Sequence, residues 1–128
     1  MSEQVGIWID HRDAFIVFVG EGHEETERIK SDLEKHGRFS GHAASEEGSA
    51  DDQRDRQFAA HLDRYYDAVI EHVRDAKSIL IFGPGEAKGE FEKRLASKGL
   101  GARVIGLETT DKMTDRQIAA KVRQHFQK

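Results

Sequence analysis

The chain has 128 residues, of which 34% are charged and 37% hydrophobic, and its formal net charge is −4 at pH 7. These values predict one globular domain over residues 1–128, and they exclude wholesale disorder and a surface that is basic all round. The absence of cysteine excludes disulfides, thiolate catalysis and cysteine-held metal centres, and no apolar run approaches the roughly 18 residues of a membrane span, so we expect a cytoplasmic protein without a membrane partner.

The N-terminal residues predict an antiparallel β-meander. In the first strand, apolar residues alternate with other residues at Val5, Ile7 and Ile9. The polar turn 10–13 follows, and the second strand, 14–19, is apolar on both faces. Residues 24–30 are mostly charged, which is typical of a strand at the edge of a sheet. An exposed edge of this kind is also where two copies of the chain would associate.

The middle of the chain predicts a loop followed by a helix. Residues 34–52 lack apolar periodicity and are rich in glycine, serine and charge, which predicts a long mobile loop. Such a loop is either a surface excursion or a functional segment. From Gln53 to Ala76 the apolar residues recur at spacings of three and four, which predicts a long amphipathic helix.

An apolar run followed by glycines organises the second half of the chain. Residues Ile79 to Phe82 have no polar position, as expected for a central strand covered on both faces. Gly83 and Gly85 predict a sharp turn into a helix that ends at Gly99.

The C-terminal residues predict one more strand and one more helix. The strand is expected at 102–108, and Thr114 and Gln117 form the pattern of a capping box before the last helix. The resulting order, β-β-β-α-β-α-β-α, predicts an α/β fold with a ribonuclease-H-like five-stranded mixed sheet. In this fold three antiparallel strands are extended by two parallel ones, with helices on both faces.

The turn at Gly83 and Gly85 is one candidate site. It joins the end of a predicted parallel strand to the start of a helix, where backbone N–H groups favour anions, and Lys88 follows. The turn lacks the full pattern of a nucleotide-binding loop. The competing interpretation is a tight strand-to-helix connection that requires glycine for steric reasons.

Other kinds of chemistry have less support in the sequence. Asp10 is a candidate first ligand for two-metal nuclease chemistry, but no aspartate ends the fourth strand, and Asp10 also suits the start of a turn. The histidines match no metal-binding spacing, and no nucleophile motif is present. We assign no catalytic residue, no metal and no cofactor.

The start of the predicted loop is the second candidate site. Its cationic or aromatic residues stand among glycines, a mixture that can follow an RNA backbone and stack on a base. These candidate RNA-binding residues are Lys35, His36, Arg38, Phe39 and His42. The alternative is an ordinary polar loop.

Taken together, the motifs resemble the central domain of archaeo-eukaryotic class-1 peptide-chain release factors and their Pelota relatives. The hairpin at Ile7 to Asp10, the Lys35-His36-Gly37-Arg38 segment, the long helix, and the Gly83-Pro84-Gly85 turn with Lys88 follow the order of that family. The sequence looks closer still to small bacterial members of this superfamily, often described as translational machinery proteins.

The resemblance implies a role in translation. In release factors the loop after the basic segment carries Gly-Gly-Gln, whereas this chain has Phe39-Ser40-Gly41-His42. Pelota-like relatives also lack the tripeptide and act on stalled ribosomes without hydrolysing the ester. We therefore expect a module that docks on the ribosome or tRNA without Gly-Gly-Gln-type peptide release, with Lys88 assisting. The alternative is a hydrolase, either of peptidyl-tRNA esters with His42 near the glutamine's place or of RNA with a metal at Asp10.

Overall fold

The computed structural model describes residues 4–20, 22–31 and 49–126, with side chains described from residue 60 onward in the last range. A short 3₁₀ turn at Gly101–Arg103 precedes the last strand. The strands and helices are β1 (Gln4–Ile9), β2 (Asp13–Gly20), β3 (His23–Lys30), α1 (Ser49–Val73), β4 (Ser78–Gly83), α2 (Ala87–Ser97), β5 (Val104–Thr109) and α3 (Asp115–Phe126).

The strands form one mixed sheet in the order β3-β2-β1-β4-β5. β1 pairs antiparallel with β2 and parallel with β4, so that Ile7 lies between Ile16 and Ile81. β3 extends the antiparallel side, and β5 pairs parallel with β4 on the other side. This arrangement confirms the predicted fold of three antiparallel strands extended by two parallel ones.

Helices cover both faces of the sheet, as the sequence predicts. Alternate strand residues such as Ile7 and Ile81 pack with α1 and α2, where Tyr65 and Phe91 are buried. The intervening residues pack under α3, and this second cluster contains Trp8, Phe15, Val17, Leu80, Phe82, Ile118, Ala119 and Val122. Because both faces are covered, the four residues from Ile79 to Phe82 have no exposed area, which confirms the buried central strand.

Helix α1 is longer at its start than the sequence pattern indicates. It begins at Ser49 rather than Gln53 and ends at Val73 rather than Ala76. Residues 49–52 of the expected loop are therefore helical, and the rest of that loop lies outside the described residues.

β5 starts later than predicted because its expected first residues form the 3₁₀ turn. There the Arg103 guanidinium donates to the backbone carbonyls of Arg74 and Ala76, just after the end of α1. This contact links segments far apart in the chain, so no local sequence pattern reports it.

Helix α3 begins with the predicted capping box and packs very closely on the sheet. The Gln117 N–H donates to Thr114 Oγ1 over 3.2 Å, and the Thr114 N–H donates to Gln117 Oε1 over 2.9 Å. A Cβ atom at Gly6 would lie 2.3 Å from a methyl carbon of Val122. Glycine at this position therefore allows α3 to approach β1.

The two edges of the sheet differ in character. β3 is exposed along nearly its whole length and carries Glu24, Glu25 and Glu27, which confirms a charged edge strand. Association of two copies through it stays a prediction. On the opposite edge, Ile105 and Leu107 of β5 are 49% and 41% exposed. No helix in the described part of the chain is long and apolar enough to cross a membrane.

Candidate nucleic-acid interface

The glycine turn, one of the two candidate sites predicted from the sequence, lies at one end of the sheet. β1, β4 and β5 are parallel to one another. β3 runs in the same direction, because β1 and β3 both pair antiparallel with β2, which lies between them. Their last residues, Ile9, Lys30, Gly83 and Thr109, therefore lie at one edge, which we call the carboxyl edge. In open α/β sheets this edge is where ligands usually bind.

The turn from β1 to β2 is built around Asp10. Its Oδ1 accepts the N–H groups of Arg12 and Asp13 over 2.8 and 2.9 Å. These bonds are those expected of a turn-initiating aspartate. No group of three or more His, Asp or Glu side chains within the described ranges could hold a metal ion. The nuclease alternative therefore finds no ligand set around Asp10 there.

β3 ends beside this turn. The Ser31 N–H donates to the Arg12 carbonyl over 2.8 Å, and Ser31 Oγ donates to the His11 carbonyl over 2.7 Å. His61 of α1 contacts the Ser31 carbonyl through Nε2. The chain therefore leaves the sheet at a point that is fixed to both the turn and the helix.

The segment that follows Ser31 carries most of the predicted RNA-binding residues. These residues, Lys35, His36, Arg38, Phe39 and His42, lie outside the described residues. Their role in RNA binding stays a prediction, as does ester hydrolysis involving His42.

The glycine turn after β4 has the steric requirement expected of a tight connection. Gly83 has φ of +150°, and a Cβ atom there would lie 2.4 Å from the Ile9 carbonyl oxygen of β1. Gly85 has φ of +67°, in the region that favours glycine. Both glycines therefore have structural reasons to be present, and binding of an anion at this turn stays a prediction.

Lys88 lies in the first turn of α2, next to the glycine turn. Lys88 is only 9% exposed, and its ammonium group donates a hydrogen bond to the Gly85 carbonyl. The side chain thus stabilises the turn. A contact between Lys88 and RNA stays a prediction, and it would require the ammonium group to serve two partners.

A hydrogen-bond network at the carboxyl edge was not predicted from the sequence. Glu90 Oε1 accepts the Tyr66 hydroxyl over 2.7 Å and lies 3.0 Å from His11 Nε2. The Tyr65 hydroxyl donates to the Asp10 carbonyl over 2.9 Å. The two tyrosines occupy apolar positions of the helical pattern, and Glu90 is remote in sequence, so only the folded sheet brings these groups together.

The environment of the two tyrosines favours their neutral form. Burial raises the pKa of both hydroxyls well above the usual value for tyrosine. The hydrogen bond to Glu90 raises the pKa of Tyr66 further, and the negative charge of Asp10 does the same for Tyr65. Both hydroxyls therefore act as fixed hydrogen-bond donors that hold α1 on the carboxyl edge.

Comparison with known proteins gives structural similarity but no sequence match. No family model and no curated protein matches this sequence. Two Pelota structures are similar. The Thermoplasma acidophilum protein has a TM-score of 0.58 and 19% identity, and the match covers 94% of this chain and 31% of that chain. The Archaeoglobus fulgidus protein has a TM-score of 0.60 and 13% identity, and the match covers 97% of this chain and 31% of that chain.

A third similar structure is an archaeal translation termination factor, aRF1. Its TM-score is 0.50 and its identity is 12%, and the match covers 92% of this chain and 37% of that chain. The chain therefore spans about a third of the length of the proteins it matches. At these identities the comparison concerns the fold, and it agrees with the predicted resemblance. This chain has a Pelota- and aRF1-like domain fold.

Proposed function

We propose that this protein is a translation-associated binding module that docks on the ribosome or on tRNA, without Gly-Gly-Gln-type peptide release. The observation that carries the proposal is the similarity over 92–97% of the chain to Pelota and to a translation termination factor. One of these three structures is named as a translation termination factor, and each of the three matches covers almost the whole of this chain. The sequence resemblance to the release factor family supports the same role.

The surface proposed for docking is the carboxyl edge together with the segment that leaves it. Lys35 follows Ser31 by four positions in the sequence. At no more than about 3.6 Å per residue, its Cα atom stays within about 14 Å of the Ser31 Cα atom. Lys35 is therefore confined to the surroundings of an edge to which Ser31 is fixed. Lys35, His36, Arg38 and His42 would contact phosphates, and Phe39 would stack on a base.

Sedimentation with purified ribosomes tests this proposal. We expect the wild-type protein to pellet with ribosomes at low salt and to be released at high salt, because contacts to phosphate depend on counterion release. The variant K35A/R38A should pellet less. The control K77A/K93A removes two exposed cations that form no ion pair within the described part of the chain.

The same variants should be tested with free tRNA, which separates the two proposed partners. Pelleting or tRNA binding that is equal in all three proteins would contradict the proposed role of Lys35 and Arg38. Absence of binding by the wild-type protein to ribosomes and to tRNA would overturn the proposed function as a whole.

A further inference from the structure

Six lysine and arginine side chains in the described part of the chain are paired with carboxylates. Arg94 binds Asp67 through two parallel hydrogen bonds of 2.8 Å, which lower the pKa of Asp67. The other basic residues with carboxylate partners are Arg28, Arg74, Lys98, Lys121 and Arg123. These cations are neutralised locally and contribute little to binding an external anion.

At the carboxyl edge, one arginine neutralises two carboxylates. The Arg28 guanidinium binds Asp13 of β2 and Asp115 of α3, and it lies 5.1 Å from the centre of the Phe15 ring. The carboxylate of Asp10 is likewise used by backbone N–H groups. The carboxylates of Asp10, Asp13 and Asp115 therefore already have partners.

This arrangement leaves neighbouring cations exposed. Lys30 pairs with Asp13 in the strand register, and Arg116 follows Asp115 at the start of α3. Both residues are exposed, and neither forms an ion pair with any residue in the described ranges. Arg28 occupies the carboxylate of Asp13, the residue that lies opposite Lys30 in the strand register.

Two more exposed cations lie at the same end of the sheet. Arg12 belongs to the β1–β2 turn, and its carbonyl accepts the Ser31 N–H. Lys112 lies in the loop from β5 to α3, where the Trp8 indole N–H contacts the Asp111 carbonyl over 3.4 Å. Neither side chain has a carboxylate partner among the residues described. We call Arg12, Lys30, Lys112 and Arg116 the basic rim.

We propose that the basic rim binds the phosphate backbone of structured RNA, an inference that rests on the proposed function and adds four contact residues to it. The four side chains come from four separate segments, namely a turn, a strand end, a loop and a helix start. Cations spread over several segments suit a continuous chain of phosphates better than a single small anion. The exposed carboxylates of Glu86 and Asp111 limit its excess charge.

The rim contacts RNA without reading bases. Trp8 and Phe15, the aromatic residues beside it, are 4% and 8% exposed, and are therefore not available for stacking. Binding through the rim is thus independent of RNA sequence and strongly dependent on salt.

A matched pair of triple variants tests this inference. K30Q/K112Q/R116Q removes three rim cations, and R64Q/K77Q/K93Q removes two exposed lysines and one exposed arginine elsewhere. Affinity for ribosomes, for tRNA and for a generic RNA duplex is measured across a range of salt concentrations, after thermal unfolding has shown that both variants are folded. Each lost phosphate contact lowers the slope of log affinity against log salt by about 0.7 to 0.9.

The rim variant should therefore lose about 2 units of that slope, while the control keeps the wild-type slope. Equal slopes for the two variants would overturn the rim while leaving the proposed function intact. Binding of the wild-type protein to the duplex but not to ribosomes or tRNA would overturn the proposed function and keep the rim. Absence of binding to any RNA, or competition by polyglutamate as strong as by RNA, would overturn the rim itself.

Discussion

At the scale of single residues, glycine at position 83 is required by the neighbouring strand. Parallel pairing of β1 with β4 places the Ile9 carbonyl oxygen 2.4 Å from the position that a Cβ atom of residue 83 would occupy. Long-range register, rather than local turn preference, therefore sets the requirement, and no local sequence pattern reports it.

Replacing Gly83 by alanine tests this requirement. A Cβ atom 2.4 Å from a backbone oxygen, combined with a φ of +150°, should lower the free energy of unfolding by about 3 kcal/mol. Gly89→Ala is the control, because it lies in α2 with open space around it and should stabilise the protein by about 0.5 to 1 kcal/mol. Chemical denaturation measures both values, and similar values for the two variants would contradict the close approach.

The hydrogen bonds that join His11, Tyr66 and Glu90 could not be predicted from the sequence. Tyr66 has the spacing of a core residue, and its core position is confirmed. Its hydroxyl and the polar partners are invisible to periodicity, because 24 positions separate Tyr66 from Glu90 and 79 separate His11 from Glu90. The carboxyl edge therefore contains more ordered polar structure than its motifs indicate.

At the scale of elements, type and order were predictable, whereas boundaries depend on tertiary contacts. The capping box of α3 is a local motif, and both of its hydrogen bonds are present. β5 begins at Val104 rather than at residue 102, because Arg103 donates hydrogen bonds to the backbone carbonyls that follow α1. Ile105 and Leu107 are partly exposed, since β5 lies at the edge of the sheet.

The hydrogen bonds of Tyr65 and Tyr66, which hold α1 on the carboxyl edge, predict that the free energy of unfolding falls at alkaline pH. The folded state raises the pKa of Tyr65 and Tyr66 above their unfolded value of about 10. Above that pH the unfolded chain loses protons that the folded chain retains, so the stabilising contribution is complete below about pH 10 and is lost as the pH rises further. The free energy of unfolding should fall by up to about 1.4 kcal/mol per pH unit for each tyrosine.

Chemical denaturation between pH 8 and 12, with tyrosine ionisation followed by absorbance, measures this effect. These are the only two tyrosines in the chain, so the absorbance change is theirs alone. The variant Y65F/Y66F should be less stable at pH 8, by about 1 kcal/mol for each lost hydrogen bond, and should show a flatter alkaline profile. Ionisation of both tyrosines near pH 10 without loss of stability would contradict the buried hydrogen bonds.

At the scale of the whole molecule, the sheet topology follows from the order of the elements. Hairpins require antiparallel neighbours, and right-handed crossovers bring β4 and β5 parallel to β1. The pairing directions and the two covered faces therefore follow from physical rules, whereas the structure is needed to show that β4 joins the sheet beside β1. The charge pattern of the surface does not follow from these rules. It depends on the ion pairs of Arg28 with Asp13 and Asp115, which form only in the folded chain.

We propose that the carboxyl edge faces RNA in a complex with the ribosome. Cryo-electron microscopy of ribosomes incubated with this protein at low salt tests the claim most directly. We predict density for the five-stranded domain, with Ser31, the glycine turn at Gly83 and the basic rim against RNA. Ribosomes without bound protein, or a bound domain whose carboxyl edge faces solvent, would contradict it.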